Sequence, residues 1–192
     1  MLNEPPAAAR SPAVRHVLVV CGGNTCRSPI AAALLVARAA EDGTPVEVRT
    51  AGTNARRGAP ASPHALTVMA ARGLDVAPHR AARLDAALLA WATDVWVMTA
   101  RHRTTIARRW PDAAGVEVRL LSEAAGRRGD VADPLGGELS DYRRTADELA
   151  ILVDGAWRGR PPSAGGEVKL RPDESPVPGP TGPATDHAAQ RP

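Results

Sequence analysis

The chain has 192 residues, enough for one ordinary domain with a full hydrophobic core plus tails. Its 44% hydrophobic content draws on Ala, Val and Leu, with no Phe and a single Tyr, Tyr142. The net charge of +3 comes from arginines scattered in pairs such as Arg56-Arg57 and Arg127-Arg128. No aromatic-plus-basic module accompanies those pairs, so nucleic acid is not an expected partner.

The segment Met1–Pro12 is rich in Pro and Ala and lacks the apolar core of a signal peptide. Residues 1–13 are expected to be a disordered leader. The run Val14–Val20 reads as a continuous apolar strand of the kind buried in a parallel sheet, too short to cross a membrane. The protein is therefore expected in the cytoplasm, where its two cysteines suit catalysis or redox chemistry better than a structural disulfide.

A tight glycine turn, Cys21-Gly22-Gly23-Asn24-Thr25-Cys26-Arg27, follows that strand, and a helix opens near Ser28-Pro29 and ends before Gly43. Val46–Thr50 alternates as a second strand, and a loop with glycine and proline follows. Ser62 reads as the cap of a helix running to Arg72. A short irregular or helical segment from His79 to Leu84 precedes a helix near Asp85–Ala90. Asp94–Met98 is a third strand, Arg101–Arg109 a helix, and Glu117–Leu121 a fourth strand. A polar loop holding Asp133-Pro134 leads to a last helix capped by Ser140, with Ala146, Leu149, Ile151, Leu152, Val153 and Trp157 as its apolar face. Residues 159–192 lose periodicity and become rich in Pro and Gly, the composition of a disordered tail. Strands alternating with helices predict a single three-layer α/β domain over 14–158, with helices on both faces of a parallel sheet. Ligands of such sheets bind at the carboxyl ends of the strands, where the loop after the first strand and Asp133 can meet.

Within that loop the chemistry is specific. A strand–turn–helix aims backbone N–H groups and the positive end of a helix dipole at one small volume. Cys21 at its base gains a thiolate-favouring environment from those amides and from Arg27. The same donors hold phosphoryl oxygens, and the planar fork of Arg27 grips two of them. Gly22 and Gly23 permit backbone angles that a side chain would block, Asn24 tolerates left-handed geometry, and Ser28 can donate to the sulfur. Cys26, five positions from Cys21, either packs the loop or forms a reversible disulfide with the nucleophile. Two cysteines without suitably spaced partners make no zinc site, and no metal or cofactor is expected. Met69 and Met98 read as core, and His64 and His102 as structural or solvent-facing.

The nine-residue run from Cys21 to Pro29, with Asp133-Pro134 far downstream, resembles the phosphate loop and Asp-Pro acid loop of the low-molecular-weight protein-tyrosine phosphatases. Weaker matches are Thr50-Ala51-Gly52-Thr53, the stretch from Gly73 through His79, and Met98-Thr99. The resemblance implies a four-stranded sheet of order 2-1-3-4 and a two-step mechanism. In it Cys21 attacks phosphorus and Asp133 acts as acid and then as base. It also implies that Gly22 through Ser28 bind phosphate, and that Asn24, Ser28, Thr50 and His79 form a supporting hydrogen-bond network in which His79 is not the base. The implied partner is a phosphorylated protein, with the enzyme a monomer or weak homodimer.

Two residues at the substrate wall depart from the tyrosine-phosphatase pattern. Thr25 stands where a branched aliphatic is usual, and resembles the branch that acts on phosphoarginine. Leu135 stands where an aromatic is usual, which weakens stacking on a phenyl ring. The main expectation is hydrolysis of protein phosphotyrosine, with protein phosphoarginine as the alternative. Two further alternatives are a small-thiol-dependent arsenate reductase and a non-catalytic phosphate-binding module. A thioredoxin-coupled reductase would need cysteines beyond the loop, and the sequence has none after Cys26.

Overall fold

A computed structural model describes residues 14–112 and 116–159. The expected leader and tail lie outside these residues, apart from Gly159, which caps the last helix. Four strands, β1 (Arg15–Cys21), β2 (Val46–Gly52), β3 (Asp94–Val97) and β4 (Val118–Leu120), form one parallel sheet in the order β2-β1-β3-β4. Among the described residues six helices surround it: α1 (Arg27–Glu41), α2 (Pro63–Ala70), α3 (Ala86–Trp91), α4 (Ala100–Arg109), α5 (Leu121–Ala124) and α6 (Leu139–Arg158).

The unbroken apolar run of β1 is explained by its central place. Val17 and Val19 face one core with α1, α2 and α6, while Leu18 and Val20 face the other with α3 and α4. All four are fully buried. A strand covered on both faces has no polar side to alternate with. The larger core contains Ile30 and Leu35 of α1 with Leu149 and Trp157 of α6. The smaller contains Leu89, Val95, Val97 and Ile106.

Several element ends differ from the sequence reading. β2 runs two residues past Thr50, because Gly52 pairs with Cys21 and also accepts a bridge from Arg83. The fourth strand stops at Leu120, where the Glu123 carboxylate accepts the Leu120 N–H at 3.2 Å and starts α5, a turn of helix the sequence did not announce. Ser62 precedes α2 but does not cap it by its side chain; its hydroxyl accepts from the Cys26 thiol instead. The last helix begins at Leu139, with the Asp141 carboxylate accepting the Glu138 N–H at 2.9 Å, so Ser140 lies inside the first turn. Ile151, placed on the apolar face by periodicity, is 51% exposed. None of these shifts moves the carboxyl edge of the sheet, where β1 delivers Cys21 to the mouth of α1.

Candidate active site

Cys21 is the last residue of β1 and α1 begins at Arg27, so five residues make the whole turn. Asn24 sits at its apex with φ of +57°, left-handed geometry that asparagine accepts more readily than most side chains. Its groups fasten the loop on four sides. The backbone N–H donates to Cys21 Sγ (3.2 Å) and the carbonyl accepts at 2.7 Å from His79 Nε2. The side-chain amide donates to Ser28 Oγ (2.7 Å) and accepts from the Ala82 N–H (2.7 Å).

These contacts fix the direction of others. A carbonyl only accepts, so His79 carries its proton on Nε2 and is spent on holding the loop. Ser28 Oγ accepts from Asn24, which leaves its hydroxyl proton for the sulfur 3.1 Å away. Two donors thus converge on Cys21 Sγ, the arrangement that stabilises negative charge there. Cys21 and Ser28 are almost wholly buried.

The amino end of α1 closes the loop that starts at this sulfur. Its first turn has no acidic residue, and the Cys26 side chain at its N-cap makes no capping bond. Its leading N–H groups are free to meet an anion. Arg27, 4% exposed, donates from Nη1 to the Val131 carbonyl at 2.9 Å and from Nη2 to Asp133 Oδ2 at 2.5 Å. Its buried Nε has no partner among the described residues. Val131 is held in turn by its N–H donating to Met98 O, so the acid loop is tied to the end of β3. A small cleft results, lined by Cys21, Gly23, Thr25, Cys26, Arg27, Asp133 and Leu135.

The structure therefore gathers the expected nucleophile, arginine and acid, with Asn24, Ser28 and His79 behind them. Thr25 and Leu135 stand on the cleft wall as expected, with Leu135 65% exposed. Thr50 is different: it pairs with Val19 in the sheet, and no hydrogen bond among the described residues joins it to the loop network. Gly52 occupies that place instead. A Cβ on it would lie 2.5 Å from the Gly22 carbonyl oxygen and 3.0 Å from Asn24 N, so only glycine lets β2 pass this close. The next residues complete the seam, Thr53 N–H donating to Cys21 O and Asn54 N–H to Gly22 O.

Both cysteines are free thiols. Cys26 donates its S–H to Ser62 Oγ at 3.4 Å, so the Tyr142 hydroxyl 3.2 Å away donates to the sulfur. Burial and that contact push the Tyr142 phenol up to about 12, keeping it protonated and a donor. The residue the sequence hid is His102. It is buried on α4, with Nδ1 3.0 Å from Thr99 Oγ1 and Nε2 3.6 Å from where a Gly22 Cβ would stand. Burial, reinforced by the charge of Arg27, lowers its pKa to about 4, so it is neutral beside the loop. Only its position just after β3, at the sheet's carboxyl edge, hinted at this. Among the described residues no three His, Cys, Asp or Glu gather closely enough to hold a metal ion, and no helix is long and apolar enough to cross a membrane.

Residues 16–155 match the profile of the family described as low molecular weight phosphotyrosine protein phosphatase. A relative from Geobacillus stearothermophilus named protein-arginine-phosphatase is 43% identical over 72% of this chain and 91% of its own. One from Ralstonia nicotianae, named probable low molecular weight protein-tyrosine-phosphatase EpsP, is 38% identical over 75% and 94%. A solved structure of a YwlE arginine phosphatase mutant, in which the active-site serine is phosphorylated, superimposes with a TM-score of 0.71. It shares 35% identity over 74% of this chain and 93% of that one. The chain belongs to the low molecular weight phosphotyrosine protein phosphatase family and is a cysteine-dependent phosphatase of that type.

Proposed function

We propose that the enzyme removes the phosphoryl group from protein phosphotyrosine, with Cys21, Arg27 and Asp133 as its reacting and charge-bearing side chains. The observation that carries this reading is the sulfur of Cys21, which receives two hydrogen bonds at the foot of an uncapped helix and faces an arginine–carboxylate pair. Because Cys21 is 2% exposed, a long phosphorylated side chain reaches its sulfur more readily than phosphoserine or phosphothreonine.

Substrate phosphoryl oxygens take up the α1 amides, the spare Nε of Arg27 and the face of its fork now held by Asp133. The displaced carboxyl group, half exposed, is then free to carry a proton to the substrate. The Cys21 sulfur forms an S–P bond as the bond from phosphorus to the leaving oxygen breaks, and the Asp133 proton goes to that oxygen. In the second step a water oxygen bonds to phosphorus, its proton passes to the Asp133 carboxylate, and the S–P bond breaks. Ser28 and the Asn24 N–H stabilise the thiolate that departs.

A second reading, protein phosphoarginine, is favoured by the wall of the cleft. Thr25 brings a hydroxyl and Leu135 an aliphatic chain, and among the described residues no aromatic ring lines it. The Geobacillus relative named above as a protein-arginine-phosphatase supports the same reading. The test compares phosphotyrosyl and phosphoarginyl peptides with the unaltered chain, Thr25→Ile and Cys21→Ser. The first reading predicts the larger kcat/KM on phosphotyrosine; a larger value on phosphoarginine that Thr25→Ile reverses establishes the second. Turnover of either peptide by Cys21→Ser would contradict both.

A further inference from the structure

Several arginines of this protein are neutralised by carboxylates: Arg38 pairs with Glu41, Asp42 and Asp154, Arg72 with Asp147, and Arg158 with Asp154. At the carboxyl edge of the sheet, Arg56, Arg57, Arg101, Arg127 and Arg128 are all exposed, and none has an ion-pair partner among the described residues.

The backbone ties each of these residues to the site. Arg56 and Arg57 ride the turn after Asn54, whose N–H is bonded to the Gly22 carbonyl, and the turn closes with Ala59 N–H donating to Arg56 O. Arg101 is the second residue of α4, one position before His102. Arg127 and Arg128 lead into the acid loop, four and three residues before the Val131 carbonyl that holds Arg27. The carboxylates on the same segments are already engaged. Asp130 accepts the Ala100 N–H at 2.8 Å and Asp133 holds Arg27. Five arginines against the single carboxylate of Asp130 thus leave an excess of positive charge around a cleft that is itself built for an anion.

From this we infer that the rim selects phosphoprotein segments whose phosphorylated residue is flanked by Asp and Glu. The inference rests on the phosphoprotein reading of the cleft and adds the chemistry of the surrounding sequence. Arginines at the rim act mainly on encounter. A field of one sign around a cleft raises the local concentration of an oppositely charged substrate and weakens as salt screens it. A small phosphate ester that touches only the cleft gains little from it.

The experiment uses three peptides with one central phosphorylated residue and acidic, neutral or basic flanks, with p-nitrophenyl phosphate as the small substrate. It compares the full chain with two charge reversals, Arg56→Glu/Arg57→Glu and Arg127→Glu/Arg128→Glu. The expected result is a kcat/KM order of acidic over neutral over basic, spanning roughly tenfold or more at low salt and shrinking as salt rises. Each reversal should cut that preference while leaving p-nitrophenyl phosphate hydrolysis within about twofold. Equal kcat/KM for the three peptides, or an equal loss on every substrate in the reversals, overturns the proposal. So does equal peptide turnover that a short DNA duplex inhibits only when the arginines are intact, which would make the rim a nucleic-acid surface. Failure of the unaltered chain to hydrolyse p-nitrophenyl phosphate overturns the phosphatase reading and the inference with it. Preserved hydrolysis without a flank preference overturns the inference alone.

Discussion

At Asn24 one residue supplies the turn, a donor to the nucleophile, a donor to Ser28 and acceptors for Ala82 and His79. Asn24→Gly keeps the left-handed backbone and loses the side-chain bonds, so it isolates their worth; kcat should fall at least tenfold, with a loss of stability, read from the denaturant midpoint, of only ~1–2 kcal/mol. Ser28→Ala removes the hydroxyl donor to the sulfur, and breakdown of the phosphocysteine should slow by about 10²-fold, read as a larger burst before steady state. Asp133→Asn should cost ~10²–10⁴-fold on a phosphotyrosyl peptide and less on p-nitrophenyl phosphate, whose leaving group needs no proton. His102 yields a stability prediction. Its pKa is about 4 when folded and near the ordinary 6.5 when unfolded, so the unfolded chain binds more protons between those values. Its contribution is whole above pH 6.5 and drains away, by up to about 3 kcal/mol, as pH falls towards 4. Urea midpoints for His102→Gln should show a shallower loss over that window. The role of His102 was not legible in the sequence because nothing local marks it: its partners, Thr99 apart, come from the phosphate loop across the sheet edge.

Among the elements, β1 was the most legible, since burial on both faces leaves an unbroken apolar run. Motif and element coincide at the β1–α1 turn, because the same glycines and asparagine that make the turn make the cradle. Ends were less legible where a side chain outvoted the local pattern. Glu123 turns the chain into α5 although Leu120-Leu121 reads as strand, and Asp141 sets the start of α6 ahead of Ser140. Thr50 and Gly52 teach the same lesson at the site. The alternating pattern ended β2 at Thr50, but the contact that matters is the bare Cα of Gly52 against Gly22. Gly52→Ala should therefore destabilise by about 1–3 kcal/mol through overpacking and depress kcat with it, whereas Thr50→Val should leave kcat close to unaltered. Leu149→Ala on α6, fully buried against α1, should cost about 2–5 kcal/mol as measured by denaturant midpoint, with normal kcat in the fraction still folded.

Across the whole molecule, structure and function are separated along the strand direction. At the amino edge Arg15 pairs with Asp94 and lies over the Trp157 ring, whose Nε1 donates to Asp42 at 2.8 Å, clamping α1, β3 and α6 together. At the carboxyl edge the loops converge on Cys21 and carry Arg56, Arg57, Arg101, Arg127 and Arg128, which have no ion-pair partner among the described residues. The edge follows from the parallel topology, which the order of strands and helices announced; the gathering of arginines there does not, because scattered arginines look alike until the fold places them. In the proposed mechanism all of this serves one chemical event, transfer of phosphorus to the sulfur of Cys21. The direct measurement is rapid quenching of the enzyme during turnover of a phosphotyrosyl or phosphoarginyl peptide, followed by mass spectrometry of the segment carrying Cys21. One phosphoryl group bound to Cys21, formed and lost at rates matching turnover, is the predicted result. Turnover with Cys21 unmodified at every time point, or turnover that survives Cys21→Ser, would contradict it.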